Sequence, residues 1–274
     1  MTAWICATCG NWQADAATPP DVCAICADER QWVPKDGQRW TALPELADQG
    51  HRSEVREVEP GLVGIGTTPS FAIGQRSLLV RTEAGNVLWD NGGYVDEAAV
   101  EEVRSRGGLV ALAASHPHFY GAISEWSERL GGVPILLPEA DVRWLLRPSP
   151  NVRTWSGTIE VVPGVTLVQC GGHFPGSAVL HWAAGADNRG AILAGDTIMV
   201  TPGQDRVTFL RSAPNRIPLP ERLVRQVVAA VEPFAFDRIY TGWWDPTLDA
   251  GAKAVLHRDA ERYIAWVRGD VPED

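Results

Sequence analysis

From Glu54 onward, short apolar runs alternate with breaks that carry Gly and Pro, a pattern of strands more than of long helices. Val55–Glu59, Leu62–Thr67, Ser77–Thr82 and Val87–Asp90 predict four strands. Asp96–Arg106 opens on Asp, carries Ala98, Val100 and Val103, and stops at Gly107, which predicts a capped helix. The apolar run Leu109–Ser115 predicts a buried strand, and Ile123–Leu130 a helix. The second half repeats the plan, with strands at Val165–Cys170, Ala178–Trp182, Ala191–Ala194, Val207–Leu210 and Arg238–Tyr240. Pro220 can occupy the first turn of a helix running to Val231, where Leu223, Val224, Val227 and Val231 form one stripe. A final helix places Leu256, Ala260, Tyr263 and Val267 on one face. Two halves of strands followed by helices predict an α+β fold, an αββα sandwich with ligands at strand ends along one edge.

The first 35 residues break this pattern. Cys6-Ala7-Thr8-Cys9 and Cys23-Ala24-Ile25-Cys26 are two CxxC pairs with thirteen residues between them. Each pair can wrap a tight turn with both sulfurs inward, and two such turns make a tetrahedral four-thiolate site. Disulfides are the competing reading, but the start MTAWICATCG has no basic region followed by an apolar one, so export is not expected. Zinc is the expected ion, because so short a segment buries little core and needs a metal to fold; iron also suits four thiolates. With Trp4 before the first pair and Gly10 after it, the segment resembles the rubredoxin-like knuckles of rubrerythrin-type proteins and zinc ribbons, though Ala27 stands where glycine is common. The expected division is a metal knuckle over 1–35, a linker over 36–53 with one short helix near Pro44–Gln49, and a main domain over 54–274. Cys170, the fifth cysteine, reads as a small buried side chain.

The chemistry-bearing residues gather after predicted strands. His116-Pro117-His118 follows the Leu109–Ser115 run, His173 sits in Gly171-Gly172-His173-Phe174-Pro175-Gly176, and Asp196 sits in Leu193-Ala194-Gly195-Asp196-Thr197. Two imidazoles at i and i+2 on an extended loop can converge on one ion, and imidazole is the commonest neutral ligand for zinc or iron. His51, His181 and His257 have no such context and read as surface or packing residues.

Taken in order, His-x-His, a later His in a Gly-rich loop and then Gly-Asp resemble the metallo-β-lactamase fold superfamily, over roughly Glu54 to Asp270. Val87-Leu88-Trp89-Asp90-Asn91-Gly92-Gly93 looks like that fold's strand ending in Asp-x-Gly. The resemblance implies a metal on His116, His118 and His173, with Asp196 completing the shell or holding water. The superfamily's Asp and His after His-x-His are Tyr120 and Gly121 here, and its late Gly-His is Gly242-Trp243. These departures imply one metal in the sandwich rather than two.

The expected function is therefore a single-metal hydrolase that uses a metal-bound hydroxide on an ester, lactone, thioester or related acyl substrate. Asp196 and Tyr120 are the candidate catalytic residues, Tyr120 as a donor to an oxyanion. Phe119, Trp243 and Arg211 are candidates for substrate contact, Trp243 and Trp244 as an apolar wall and Arg211 in a polar loop that can bind an anion. Zinc is expected at both centres, with iron the alternative at either. A mononuclear iron oxidoreductase, persulfide-dioxygenase-like or rubredoxin-linked, is the second reading, and a metal-stabilised binding protein without catalysis is the third.

Charge and composition narrow the partners. The net charge is −10, and Lys and Arg are scattered, so no basic stripe points to nucleic acid. No apolar run approaches the ~20 residues of a membrane helix. A small-molecule substrate and a cytoplasmic location are the expectation, and twelve Trp residues suit apolar pockets.

Overall fold

In a computed structural model, which describes residues 1–271, two sheets pack face to face with helices on their outer faces. The first sheet runs in sequence order through β1 (Arg52–Glu59), β2 (Leu62–Thr68), β3 (Ser77–Val80), β4 (Val87–Trp89), β5 (Ala111–Ala113), β6 (Ile135–Pro138) and β7 (Val152–Trp155). Pairing is antiparallel from β1 to β4 and parallel from β4 to β7. The second sheet comprises β8 (Thr158–Val162), β9 (Val165–Gln169), β10 (Ala178–Trp182), β11 (Ala191–Leu193), β12 (Arg238–Tyr240) and β13 (Thr247–Leu248). Only its β11–β12 pair is parallel.

The alternation of side chains along each strand builds the layers. Leu78 and Val80 of β3, and Val87 and Trp89 of β4, face the second sheet, where they meet Leu167, Leu180, Trp182 and Leu193. Their neighbours Leu79 and Leu88 face outward onto α1 (Glu97–Ser105) and α2 (Ile123–Arg129), through Val100, Val103, Ile123 and Trp126. In the second sheet Val168, Val179, Ile192 and Ile239 face outward onto α3 (Glu221–Val231) and α4 (Ala252–Arg268). A fully buried Leu or Val in these layers contributes about 1.5–3 kcal/mol relative to an exposed one. The arrangement is the αββα sandwich expected from the sequence.

Local signals set the element ends. Asp96 caps α1, its Oδ1 accepting from Ala99 N at 2.9 Å, and its Oδ2 accepts from Ser53 N at 2.8 Å on the neighbouring edge strand. The fourth member of the α4 stripe differs from expectation: Leu256, Ala260 and Tyr263 are buried, but Val267 is 45% exposed and Ile264 is buried instead. The run Val207–Leu210 is not one strand. Val207–Thr208 pairs with Met199–Val200, and Leu210–Ser212 pairs with Ile217–Pro218. Strands β6, β7 and β8 had no clear signal, since Pro134 and Pro138 bracket the first and solvent reaches alternate or successive residues of the other two.

The cysteine segment lies against the first sheet's loops. Ile5–Cys6 pairs with Trp40–Thr41, so part of 36–53 closes the knuckle, and Leu43–Asp48 forms a short helix with Leu46 buried. Trp12 Nε1 donates to Gly93 O at 2.8 Å, and Gly10 and Gly93 meet backbone to backbone. A Cβ on Gly93 would lie 2.7 Å from Gly10 Cα, so only glycine permits that approach. Among the described residues no helix is long and apolar enough to cross a membrane.

Candidate metal centres and the cavity they line

The four-cysteine centre is fully buried. Sγ of Cys6 lies 3.6 Å from that of Cys26, and Sγ of Cys9 lies 3.7 Å from that of Cys23. A disulfide would need about 2.05 Å, so these are free thiols. Zinc–sulfur bonds of ~2.3 Å in a tetrahedron put sulfurs about 3.8 Å apart, close to the spacing seen. Gln38 Nε2 donates to Cys6 Sγ at 3.1 Å and Asn11 Nδ2 to Cys9 Sγ at 3.6 Å, bonds that favour thiolate. Hydrogen bonds from Cys23 and Cys26 lower Cys6, whereas burial raises Cys9. Four buried sulfurs cannot all ionise without a cation, and the donor set fits one.

The second centre forms where loops leave the carboxyl ends of β5, β9 and β11. His116, His118, His173 and Asp196 converge so that one ligand atom from each lies within 4.8 Å of the others. His116 Nε2 is 3.4 Å from Asp196 Oδ2, His118 Nδ1 is 3.4 Å from His173 Nε2, and His173 Nε2 is 3.7 Å from Asp196 Oδ2. Tetrahedral nitrogen and oxygen ligands ~2.0–2.1 Å from zinc would stand about 3.3 Å apart. All four side chains are buried, and His116 Nε2 and Asp196 Oδ1 have no hydrogen-bond partner. Buried polar atoms are normally satisfied, so His116 Nε2, left bare where it faces Asp196 Oδ2, fits a bound ion.

Neighbouring groups hold each ligand in place, as outer partners of metal ligands usually do. Ser115 Oγ contacts His116 Nδ1 at 2.9 Å, leaving Nε2 to point inward. The close approach of Ser115 requires Gly195, where a Cβ would fall 2.1 Å from Ser115 Oγ. His173 Nδ1 donates to Leu210 O at 3.0 Å, which turns Nε2 toward His118 and Asp196. Burial, then repulsion from His116, pushes His173 down to about 4 and His118 well below the usual imidazole range. Burial alone would raise Asp196, but His116 and His173 outweigh it and lower it. His118 and His173 are therefore held as neutral imidazoles beside a carboxylate, the forms that bind metal.

Position 121, where the sequence lacks the superfamily's His, has no space for a side chain. Gly121 has φ +40°, and a Cβ there would sit 2.3 Å from Gly92 O and 2.5 Å from Asn91 O. Asp90 Oδ1 accepts from Ser115 N at 2.7 Å, and burial pushes the Asp90 carboxyl up to about 7, so it serves the loop that carries His116.

Three expected side chains stand elsewhere than the sequence suggested. Tyr120 is buried in the α1–α2 core with its hydroxyl 3.4 Å from Asp141 O, so it does not face the cavity as an oxyanion donor would. Phe119 lies beneath the cavity, fully buried under Gly242, where a Cβ would meet its ring at 2.1 Å. Arg211 lines a neighbouring cleft rather than the metal cavity. Trp243 does line the cavity, its Nε1 anchored on Ile73 O at 2.8 Å and its ring 5.4 Å from Phe119. Trp244 instead covers Gly64 and Gly66 of β2. Cys170 is buried with its thiol pushed up to about 12 by burial, and His51, His181 and His257 bind Pro69 O, Ala235 O and Glu232 respectively, away from both centres.

The cavity above His118, His173 and Asp196 measures ≈ 180 Å³, and part of its wall comes from the knuckle segment, as Arg30, Gln31 and Trp32. Trp243, Ile73, Ala213 and Pro214 complete it. Arg30 Nε donates to His173 O at 2.7 Å, its guanidinium lies 4.1 Å above the Phe174 ring, and its NH1 meets Asp28 at 2.6 Å. Gln75 Nε2 donates to Cys9 O at 3.1 Å and lies 3.4 Å from His118 O, so one amide touches the backbone of both centres. Sequence spacing gave no hint of these contacts, because they join residues 43 to 143 positions apart.

No family model matches the chain. Among solved structures, the DIM-1 metallo-β-lactamase superposes with a TM-score of 0.59 at 11% identity, over 79% of this chain and 98% of that one. VMB-1 gives 0.59 at 12% identity over the same shares, and a Cronobacter sakazakii metallo-β-lactamase with a HARLDQ motif gives 0.50 at 18%, over 79% and 93%. These likenesses establish the metallo-β-lactamase fold. In sequence, the chain is 40% identical over 273 residues to the uncharacterized protein YmaE of Bacillus subtilis (strain 168), spanning 99% of each, and it belongs to the same family as that protein.

Proposed function

We propose that the chain is a hydrolase with one metal in the sandwich, acting on a small acyl substrate such as an ester, lactone or thioester. The observation that supports this reading is the convergence of ligand atoms from His116, His118, His173 and Asp196 at the floor of a ≈ 180 Å³ cavity. An ion held there would polarise an acyl carbonyl and would lower the pKa of a bound water to about 7. Ser115 and the Leu210 carbonyl orient the imidazoles, and Asp196 supplies the negative charge that three neutral histidines lack. Trp32, Trp243, Ile73 and Pro214 enclose a space suited to a compact acyl group and restrict bulk water. Zinc is the proposed ion at both centres, the sandwich one catalytic and the four-thiolate one structural.

A second reading rests on the donor set. Two histidines and Asp196 can form the facial triad of a mononuclear iron oxygenase, and a four-thiolate centre beside it can hold iron. Metal analysis with an optical spectrum of untagged protein separates the two. A colourless protein with one zinc per centre that cleaves acyl esters supports the hydrolase. A red four-thiolate iron spectrum, with iron-dependent oxygen uptake on thiol or persulfide substrates and no ester cleavage, overturns it.

A further inference from the structure

Behind His173 lies a second cleft, of ≈ 390 Å³, lined by Arg30, Arg211, Arg222 and Gln226 together with Gly171 and Gly172. Three guanidinium groups in one concavity stand out on a chain whose net charge is −10. Arg30 lines both this cleft and the metal cavity, and the cleft's other members flank the metal ligand in sequence: Gly172 precedes His173, and Arg211 follows the Leu210 carbonyl that holds His173 Nδ1.

Two carboxylates already meet these arginines. Asp28 binds Arg30, and both are mostly buried, so that pair is part of the wall. Glu29 Oε1 accepts from both Nε and NH2 of Arg211, yet its side chain is 57% exposed. Arg222 is exposed and has no hydrogen-bond or ion-pair partner among the described residues. Glu221, next to it, is engaged by Arg225 and Arg268. Gln226 in the lining is fixed by its Nε2, which donates to Cys170 O at 2.8 Å, and beside the cleft Asn215 Nδ2 donates to the carbonyls of Glu29 and Gln31. The cleft thus shows a planar carboxylate on one of its arginines and an unpaired guanidinium at another.

We infer that this cleft is a carboxylate-binding subsite of the metal cavity, and that the preferred acyl substrate carries a carboxylate which docks on Arg211 and Arg222 while its acyl carbonyl reaches the His116–His118–His173–Asp196 centre. Arginine forks suit carboxylates, binding them with two parallel hydrogen bonds. Glu29 occupies the place of that group when no ligand is bound and yields it on binding. The reactive half of this inference rests on the hydrolase reading; the binding half does not.

The test uses full-length, metal-loaded protein. Succinate and inorganic phosphate are titrated calorimetrically, and kcat/KM is compared for the p-nitrophenyl monoester of succinic acid and for neutral p-nitrophenyl butyrate. Succinate should bind, Arg222→Gln and Arg211→Gln should each weaken it about tenfold, and Glu29→Gln should tighten it by freeing Arg211. The ratio of anionic to neutral kcat/KM should fall by a similar factor in both arginine variants. Succinate binding that ignores both arginines, or no binding at all, overturns the subsite. Arginine-dependent binding of phosphate in place of succinate overturns the carboxylate assignment. Arginine-dependent succinate binding with neither ester cleaved leaves the subsite standing and removes the hydrolase reading.

Discussion

Arg30 Nε donates to the carbonyl oxygen of His173 at 2.7 Å, across 143 positions of sequence. That bond joins the knuckle segment to the loop that carries a metal ligand, and the stacking of Arg30 on Phe174 fixes its direction. Charged hydrogen bonds of this kind are worth about 1.5–3 kcal/mol. Arg30→Ala should therefore lower kcat/KM by about 10- to 100-fold, while the His-centre metal stays bound, because Arg30 touches only the backbone of His173 and none of the four ligand atoms. Steady-state kinetics beside metal analysis checks this. Loss of the metal with Arg30 would show that the contact shapes the centre itself rather than the cavity above it.

The same linkage changes what loss of the knuckle metal should do. Cys23→Ser removes one thiolate from a buried four-sulfur centre and should remove one metal equivalent, because the remaining ligands cannot close the tetrahedron. Arg30, Gln31 and Trp32 are then no longer held over the cavity, so activity should drop by at least as much as in Arg30→Ala, although the sandwich core keeps its fold. Far-ultraviolet circular dichroism, metal content and activity together decide the matter. Full activity with one metal fewer would show that the knuckle wall is dispensable.

Much of this was legible in the sequence, and the reason is local. Alternating apolar runs such as Leu78–Val80 and Val87–Trp89 fix strands and faces by side-chain periodicity alone. The convergent His116, His118, His173 and Asp196 lie in short motifs at strand ends, so their order pointed to the cluster. What stayed hidden depends on long-range packing. The position of the Arg30, Gln31 and Trp32 wall is set by Gly10 meeting Gly93 and by Trp12 reaching Gly93 O, contacts between segments that have no periodic signature. Tyr120 misled for a related reason: its place in the motif suggested the cavity, but its direction follows from the turn Pro117–Phe119, which sends it into the core under α2.

A second ion should not be recoverable by restoring the ligand types. In Tyr120→Asp/Gly121→His, the new Cβ at 121 would collide with the carbonyls of Asn91 and Gly92 at a left-handed backbone position. The double variant should express poorly and melt several degrees lower, and metal analysis should give no added equivalent. Adding Trp243→His should not change that count. A gain of one full equivalent in well-folded protein would show that only the side chains, and not the backbone between 91 and 121, exclude the ion.

Acid should weaken the knuckle's seat on the sandwich through Glu125. Burial would raise this carboxyl, but hydrogen bonds from Arg129 and Arg147 outweigh it and lower it, both at 2.6 Å. Arg147 in turn lies 5.2 Å from the Trp12 ring and 3.8 Å from Asp15, so Glu125 steadies the arginine against which the knuckle rests. A carboxyl lowered in the folded state stabilises it above the ordinary carboxyl pKa, and that contribution is lost as pH falls through the folded value. Glu125→Gln should thus cost about 1 kcal/mol near pH 7, the scale of a partly buried ion pair. The difference between the two proteins should shrink steadily below about pH 4.3, the unperturbed glutamate value. Because acid also strips metals from both proteins, the informative quantity is the difference in denaturation midpoint, measured at pH 7, 5, 4 and 3. A gap that persists undiminished at pH 3 would mean that Glu125 acts by packing and not by charge.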